Sequence, residues 1–269
     1  MSEPTRFPAD SLTFVGTATT VLRLGPFTVL TDPNFLHRGQ WSYFGQGLFS
    51  RRRTEPAAQP HELPPLDAVL LSHLHGDHFD RVARRALRKD VPVLTTEHAA
   101  RRLARGGFTA TAALSTWSSE TLTDGAASLT VTAVPARHST SVLERVLPPV
   151  LGSVVEYRPF PDGPATRVYL SGDTVLHGAL RQVRDRFPDL DLAVLHLGGT
   201  RVLGMLVSMD DRQGADLLEL LRPASAVPVH FDDYGRFRSP VSNFLEEADR
   251  RDLAVPVRLL RRGESVSLR

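Results

Sequence analysis

The chain has 269 residues, of which 41% are hydrophobic and 23% are charged, and its formal net charge is +2. This balance is typical of a globular protein with a sizeable core, and it excludes a disordered or collagen-like chain. The absence of cysteine excludes disulfides and thiolate metal ligands.

The distribution of apolar and basic residues disfavours two further classes. No apolar run is long enough to span a membrane, and residues 1–6 contain no signal-peptide core, so we expect a cytoplasmic protein without membrane insertion. Nearly all the positive charge is arginine, in short runs scattered along the chain, so we expect a small-molecule substrate and no nucleic-acid partner. The sequence makes no prediction of the oligomeric state.

The first elements are short strands. Residues 12–15, 20–24 and 27–31 have the composition of strands, and a Gly-Pro turn signal between the last two predicts a tight antiparallel opening. The stretch 32–65 that follows is long, irregular and rich in aromatic residues. Loops of this length are usually functional or disordered, and aromatic residues argue against disorder. The stretch is therefore either a lid or wall over a site, or a layer packed on the core.

A dense cluster of titratable side chains follows the next strand. Residues 67–71 form a short apolar run that predicts a buried strand, and residues 80–89 have the spacing of a helix. Between them stand His73, His75, Asp77 and His78. Burying so many titratable groups without a compensating ion is costly, so the cluster predicts a metal site. It offers two pairs of ligands to two adjacent ions, and imidazole with carboxylate suits zinc, iron or manganese.

The rest of the chain alternates strands and helices. Helices are predicted at 97–105, 178–186, 210–221 and 243–250, and strands at 91–94, within 111–134, and at 154–157, 167–170, 190–195 and 225–229, before two short closing strands. Four polar side chains follow these strands at their ends: His138, Asp173, His196 and His230. Because open α/β folds build sites where strands end, we expect these side chains to gather with His73 along one edge. No linker composition interrupts the chain, which we interpret as one domain, residues 1–269.

With these residues assembled, the chain resembles the metallo-β-lactamase superfamily over almost its full length. The resemblance is carried, in this order, by His73-Leu74-His75-Gly76-Asp77-His78, His138, Asp173 in Ser-Gly-Asp-Thr, and His230. It implies an α+β fold, the four-layer αβ/βα sandwich, with two metal ions in a groove at the sheet edges. It also implies the ligand sets: His73, His75 and His138 for one ion, Asp77, His78 and His230 for the other, and Asp173 as the bridge.

Within the superfamily the sequence is similar to two groups, the ascorbate-6-phosphate lactonases and the N-acylphosphatidylethanolamine-hydrolysing phospholipases D. The similarity lies in the opening through Thr31-Asp32-Pro33 and in the stretch from Gly198 to Asp210. His196 departs from both groups, in which a non-ligating residue is expected at its position.

These observations predict a metal-dependent hydrolase that cleaves a phosphodiester, ester or lactone bond of a small anionic substrate. Two divalent ions, zinc in the first instance with manganese or iron as alternatives, would hold a bridging hydroxide that acts as the nucleophile. Two other functions stay open: an iron-dependent oxygen or nitric-oxide enzyme on the same fold, and a nuclease.

Four side chains in or near the ligand sets have further predicted roles. Asp77 would accept a hydrogen bond from the hydroxide or the leaving group. His196 would donate to a developing oxyanion, or else support the site from a buried position at the strand end. Tyr234 and Arg236 follow His230 closely in the sequence and are candidates for lining the groove.

Overall fold

The computed structural model of the protein describes residues 6–45 and 47–268. Residues 1–5, on which the expectation about a signal peptide largely falls, lie outside the described residues. In chain order the strands are β1 (Ser11–Gly16), β2 (Thr19–Leu24), β3 (Phe27–Thr31), β4 (Trp41–Tyr43), β5 (Phe49–Arg51), β6 (Ala68–Leu70), β7 (Val93–Thr95), β8 (Thr111–Ala113), β9 (Ser119–Asp124), β10 (Ala127–Val134), β11 (Gly152–Arg158), β12 (Thr166–Leu170), β13 (Leu192–His196), β14 (Arg201–Val202), β15 (Met205–Leu206), β16 (Ala226–Val229) and β17 (Ser265–Ser267). The α-helices are α1 (Arg81–Ala86), α2 (Glu97–Arg105), α3 (Arg181–Arg186), α4 (Asp211–Leu221) and α5 (Val241–Arg250).

Most strands belong to two large sheets, ordered β17-β1-β2-β3-β6-β7-β8 and β16-β13-β12-β11-β10-β9. The predicted antiparallel opening is confirmed, because β1, β2 and β3 pair in sequence. Strands β6, β7 and β8 then add in parallel. In the second sheet β12, β13 and β16 are parallel neighbours. The carboxyl ends of these parallel strands provide the positions from which a site can be built.

Three apolar layers hold the sheets and helices together. Along β13, Leu192 and Val194 face the other sheet, whereas Ala193 and Leu195 face the helices of their own side. A strand buried on both faces reads as a continuous apolar run, which is why β13 was readily predicted. Helices α1 and α2 cover the outer face of the first sheet, and α3, α4 and α5 cover that of the second. The order helix, sheet, sheet, helix confirms the predicted αβ/βα sandwich.

The structure differs from the sequence-based expectations at several places. The helix predicted over residues 80–89 is shorter, Arg81–Ala86. Strands β4 and β5 form a hairpin inside the stretch 32–65, which was predicted to be irregular. The helix predicted from 178 begins as a 3₁₀ turn, Gly178–Leu180, before α3. Of the two closing strands, β17 is present, while Val257 makes only an isolated bridge to Ala226. Segments of two or three residues are too short for the period-2 pattern of a strand to be read. Among the described residues, no helix has the length and apolar content needed to cross a membrane.

Candidate metal centre

Seven of the predicted site residues meet at one edge of the sandwich, in loops that follow the carboxyl ends of β6, β10, β12 and β16. His73, His75, Asp77 and His78 follow β6, His138 follows β10, Asp173 follows β12, and His230 follows β16. All of them are buried except His75, which is partly exposed. The sheet edge therefore collects side chains that are distant in sequence, as the strand-end pattern predicted.

The first group consists of His73, His75 and His138, each of which has a ring nitrogen within 4.8 Å of the others. His73 Nε2 lies 2.8 Å from His75 Nδ1. The second nitrogen of His73 is 3.0 Å from Ser72 Oγ, and that of His138 is 3.3 Å from the carbonyl oxygen of Val207. These two rings are held from behind, which is how ligating imidazoles are usually oriented in proteins.

The second group consists of Asp77, His78, Asp173 and His230, again with one potential ligand atom of each within 4.8 Å. His230 Nε2 lies 3.1 Å from Asp77 Oδ2, and His78 Nε2 lies 3.3 Å from Asp173 Oδ2. Ligand atoms at about 2.0–2.1 Å from a tetrahedral ion are about 3.3–3.4 Å from one another. The spacing in this group therefore suits a small divalent cation.

Unusual backbone conformations orient two of these side chains. His230 has a φ of 62°, and its N–H donates to the carbonyl of Thr17 at 2.7 Å. Gly172, just before Asp173, has a φ of 60°, and a Cβ there would lie 2.5 Å from the carbonyl oxygen of Leu151. Only glycine fits this close approach. A non-glycine residue held at positive φ is a strained conformation of the kind that clusters at functional sites.

Behind His78 lies a buried hydrogen-bonded chain. Asp32 Oδ2 is 3.2 Å from His78 Nδ1 and also 3.2 Å from His196 Nε2. Ser72 donates to the other carboxylate oxygen from its N–H at 2.7 Å and lies 3.0 Å from it through its hydroxyl. The second nitrogen of His196 is 3.1 Å from Ser171 Oγ. His196 is 1% exposed, so its position suits support of the site, and direct donation to an oxyanion stays a prediction.

The role of Asp32 was not predicted, although its segment Thr31-Asp32-Pro33 carries part of the similarity to the two hydrolase groups. Asp32 follows β3 directly, just as the recognised site residues follow their strands. It also has a positive φ, 36°. The strand-end rule that selected His73, His138 and Asp173 could have selected Asp32 as well, had it been applied to β3.

Burial and neighbouring charges give most of these groups the protonation states that a metal requires. Burial and then the neighbouring His78 lower the pKa of His73 well below its usual range. Burial and then His138 lower the pKa of His75 to about 4. Burial opposes ionisation of Asp173, but His230 and His78 hold its pKa below the ordinary value. Neutral imidazoles and ionised carboxylates are the forms that bind cations.

His78 shows the opposite shift. Burial favours its neutral form, but Asp173, Asp32 and Asp77 raise its pKa well above the usual value. Three carboxylates around one imidazole create a strong demand for positive charge. A divalent cation bound at this position would meet that demand.

Several buried atoms of the two groups have no hydrogen-bond partner within the described part of the chain. They are His75 Nε2, Asp77 Oδ1, His78 Nε2, His138 Nε2 and Asp173 Oδ1. A buried polar atom without a partner costs about 1–3 kcal/mol, so a cluster of five is not a plausible resting arrangement of protein atoms alone. The residues present therefore fit divalent cations held by nitrogen and oxygen ligands.

A cavity of about 510 Å³, counted together with its mouth, opens directly over the two groups. Its floor includes His75, Asp77, His138 and Asp173, and its walls are mainly apolar: Phe44, Leu48, Leu147, Val202 and Val207. Arg201 and Arg236 complete the lining. The inner part of the cavity has about 30 Å³ of space for the centres of water-sized groups, so a polar group reaches the metal centre while the rest of a substrate lies at the apolar mouth.

The other candidates from the sequence lie around this cavity. Arg236 lines it, as predicted, whereas Tyr234 is fully buried and donates to Asn34 Oδ1 at 3.1 Å. From the stretch 32–65, Phe44 and Leu48 reach the cavity wall. Movement of this stretch as a lid stays a prediction.

Comparison with known sequences points to a single family. The sequence profile described as the Beta-lactamase superfamily domain matches residues 28–231. A UPF0173 metal-dependent hydrolase from Deinococcus radiodurans is 31% identical over 202 residues, which cover 75% of this chain and 80% of that relative.

Solved structures share the same fold. The isothiocyanate hydrolase from Delia radicum gut bacteria matches with a TM-score of 0.80 at 23% identity, covering 95% of this chain and 98% of that one. CmlA, a diiron beta-hydroxylase from Streptomyces venezuelae, matches with a TM-score of 0.63 at 17% identity, covering 97% of this chain and 55% of CmlA. At these identities the likeness establishes the fold alone.

Proposed function

This chain belongs to the β-lactamase superfamily and, within it, to the UPF0173 metal-dependent hydrolases, and we propose that it is a binuclear enzyme for small organic substrates. The bond cleaved is a phosphodiester, ester or lactone. The observation that carries the proposal is the pair of adjacent buried ligand groups, with unpartnered atoms, on the floor of a cavity.

The ligands follow from the two groups. His73, His75 and His138 would hold one ion, and Asp77, His78 and His230 would hold the other, with Asp173 shared between them. The carboxylate of Asp173 lies 3.3 Å from His78 and 3.4 Å from His230, which places it in the second group, and its contact with the ion of the first group is part of the proposal. Nitrogen and oxygen ligands of this kind suit zinc, and also manganese or iron.

When bound, two divalent ions polarise an oxygen of the substrate and lower the pKa of water, so that hydroxide is available at neutral pH. The side chains of the protein then have to position the reacting groups and accept protons from them. Asp77 lines the cavity, its Oδ2 lies 3.1 Å from His230, and its Oδ1 has no hydrogen-bond partner among the described residues. We assign Asp77 Oδ1 as the acceptor of a hydrogen bond from the attacking water or from the leaving group.

The cavity lining supports a substrate that is partly apolar and carries negative charge. Its walls are largely aliphatic and aromatic, and Arg236 supplies positive charge, as does Arg201, whose guanidinium lies 3.6 Å from Asp210. These features agree with the lactone and phosphodiester substrates of the two groups that the sequence resembles. No Gly-x-Ser-x-Gly segment occurs in the sequence to offer a serine nucleophile instead.

His196 is proposed as a positioning residue. It holds Asp32 Oδ2 at 3.2 Å, and Asp32 in turn holds His78 Nδ1 at the same distance. A carboxylate behind a ligating imidazole fixes the ring and raises its basicity. His196 thereby acts on the metal through two intervening groups.

Metal removal and reconstitution test the proposal. The purified protein is treated with a chelator and assayed with a generic phosphodiester, a lactone and a β-lactam, before and after addition of zinc or manganese. We expect the chelator to abolish activity toward one of these substrates and either ion to restore it. The same screen identifies the class of bond.

The variant Asp173→Ala provides the site-specific test. It should lose bound metal and lower activity by about a thousandfold, equivalent to about 4 kcal/mol, because both ligand groups lose a charged member. Asp162→Ala, in the exposed turn between β11 and β12, is the matched control and should keep metal and activity. Full activity of a metal-free Asp173→Ala protein would contradict the proposal.

A second candidate is an iron enzyme of oxygen or nitric oxide chemistry. The feature that favours it is the ligand set itself, which is all nitrogen and oxygen and therefore suits iron as well as zinc. Elemental analysis of the protein as purified separates the two candidates. Iron without hydrolysis of any of the three substrates would favour the redox function.

A further inference from the structure

A second, larger groove lies beside the metal centre. His75 lines both this groove and the cavity over the two ligand groups. The hairpin β4–β5 forms one side of the groove, and α1 and α2 form the other. The volume between them, counted together with the open side, is about 1360 Å³. We call it the hairpin groove and define it by Trp41, Tyr43, Phe49, Arg81, Arg84 and Arg102.

The helical side of the hairpin groove is strongly basic. Arg81, Arg84 and Arg102 are exposed, and no carboxylate of the described residues lies within ion-pair distance of any of them. Asp80 is the acidic residue of the lining, but three backbone N–H groups donate to its buried carboxylate. After burial, Arg102 is the main cause of the lowered pKa of His98, which also lines the groove. Uncompensated positive charge in a concave surface attracts anions.

The hairpin side of the groove is aromatic. Trp41, Tyr43 and Phe49 are 52%, 49% and 54% exposed. The rings of Tyr43 and Phe49 have centroids 4.9 Å apart, and the Arg51 guanidinium lies 4.9 Å from the centroid of Trp41. Three large aromatic side chains exposed together on a short hairpin are not explained by core packing and indicate a binding surface.

The hairpin is fixed to the ligand loop. The N–H of Gly76 donates to the carbonyl of Tyr43 at 2.8 Å, and Arg81 donates to the carbonyl of Trp41 at 2.9 Å. A Cβ on Gly76 would lie 2.7 Å from that same carbonyl oxygen of Tyr43, so the hairpin can approach only a glycine here. The groove is thus built before any ligand arrives, and little ordering is needed on binding.

We propose that the hairpin groove binds the anionic end of an organic substrate that also carries an aromatic or apolar group. The arginines contact the anion, the aromatic side chains stack on the apolar part, and the chain of the substrate passes His75 into the cavity. The position of the scissile bond rests on the proposed function, whereas binding of the anion in the groove does not.

A matched pair of fluorescent probes tests the binding. The probe 8-anilinonaphthalene-1-sulfonate has two aromatic groups and a sulfonate, and N-phenyl-1-naphthylamine has the same rings without the charge. Both are titrated into the metal-loaded protein, into Arg84→Gln/Arg102→Gln and into Arg85→Gln/Arg105→Gln. The last variant removes the same charge from the same two helices outside the groove lining.

We expect Arg84→Gln/Arg102→Gln to raise the Kd of the sulfonate about tenfold relative to that of the neutral probe, because two exposed ion pairs are lost. Arg85→Gln/Arg105→Gln should change the ratio by less than about twofold. Equal weakening by the two variants would overturn the proposal, since it would mean a general effect of charge. Displacement of the sulfonate by a DNA oligonucleotide at lower concentration than by a small aromatic carboxylate would also overturn it, in favour of a nucleic-acid surface.

Two esters place the groove in relation to the reaction. They are p-nitrophenyl benzoate, which is neutral, and mono-p-nitrophenyl terephthalate, which carries a carboxylate that cannot reach its own ester. The ratio of their KM values should shift about tenfold against the terephthalate in Arg84→Gln/Arg102→Gln. If the variant changes the ratio of the two probes' Kd values as expected but leaves the ratio of the two KM values unchanged, the link between the groove and the reaction is overturned. If the metal-loaded protein hydrolyses neither of these esters nor any substrate of the earlier screen, the proposed function fails, while the probe titrations still decide the binding of the anion.

Discussion

Two buried clusters of charged side chains lie close together in this protein, and they differ in how their atoms are paired. The metal centre contains five buried atoms without a hydrogen-bond partner in the described residues. The other cluster, called here the arginine cluster, consists of Arg52, Asp233 and Arg262 with Asn34 and Thr17. Arg52 is 1% exposed and Asp233 is fully buried.

In the arginine cluster both oxygens of Asp233 are engaged. Oδ1 is 3.3 Å from Arg52 and from Arg262, and Oδ2 accepts from the N–H of Thr17 at 2.8 Å. Arg52 also donates to the carbonyl of Asn34 at 2.9 Å. Opposite charges are therefore paired here without a ligand, and of the cluster's buried side-chain atoms in the described residues Arg52 Nε has no hydrogen-bond partner, whereas five such atoms in the metal centre have none. The pairing of buried charges, rather than their number, separates a structural cluster from a binding site.

The largest effect is expected in the arginine cluster. Asp233→Ala leaves Arg52 buried without its partner charge and should lower the free energy of unfolding by about 3–5 kcal/mol. Chemical denaturation measures the loss, with Asp162→Ala as the exposed control, expected within about 0.5 kcal/mol. The double variant Arg52→Gln/Asp233→Asn should recover part of the stability. A loss below about 1 kcal/mol in Asp233→Ala would mean that the two clusters do not differ in the way stated.

Bound metal should stabilise the folded protein through the metal centre. At a free zinc concentration about a hundred times Kd, binding to the folded state should raise the free energy of unfolding by about 2.7 kcal/mol. Thermal unfolding with zinc and with a chelator measures this increment. It should become smaller in His138→Ala, which removes a member of the first group, and disappear in His138→Ala/Asp173→Ala, which also removes a member of the second. An increment that survives in this double variant would place the bound ion elsewhere.

Acid should weaken the metal-free protein through Asp32. Burial acts against its ionised form, but His78 and His196 lower the folded pKa from 3.8 to about 2. Since the folded pKa lies below the unfolded one, the contribution is present above pH 4 and is lost as the pH falls toward 2. Asp32→Asn should reduce the loss in the free energy of unfolding between pH 4 and pH 2 by about 2 kcal/mol. An unchanged acid limb would contradict the pairing of Asp32 with the two imidazoles.

His196 is an intermediate case between the two clusters. It is buried and paired with Asp32, but it supports a residue of the metal centre. His196→Ala should weaken zinc binding about tenfold, the low end for a group that supports a ligand, because it acts through Asp32. Competition with a chromophoric chelator measures the affinity. His177→Ala, a partly buried histidine outside the ligand groups, is the control. Loss of activity in His196→Ala with unchanged zinc affinity would instead support direct contact with the substrate.

The metal centre could be predicted from sequence because each of its residues follows a strand with a strong local signal. His73 follows a continuous apolar run, and Asp173 follows a strand that ends in a glycine turn. The arginine cluster could not be predicted, because Arg52 and Asp233 are 181 positions apart and nothing local to either one indicates the other. The hairpin β4–β5 was missed for a related reason, since strands of three residues have no readable period.

The smallest effect is expected where charges are paired but not buried. Arg88 lies 2.5 Å from Asp90, and their side chains are 82% and 60% exposed. Water screens this pair, so Arg88→Gln should leave the free energy of unfolding essentially unchanged at low and at high salt. Denaturation at two ionic strengths, beside Asp233→Ala, gives the contrast directly. A change as large as that of Asp233→Ala would show that pairing alone, without burial, sets the loss of stability. The difference between the two buried clusters would then not follow from the burial of their charges.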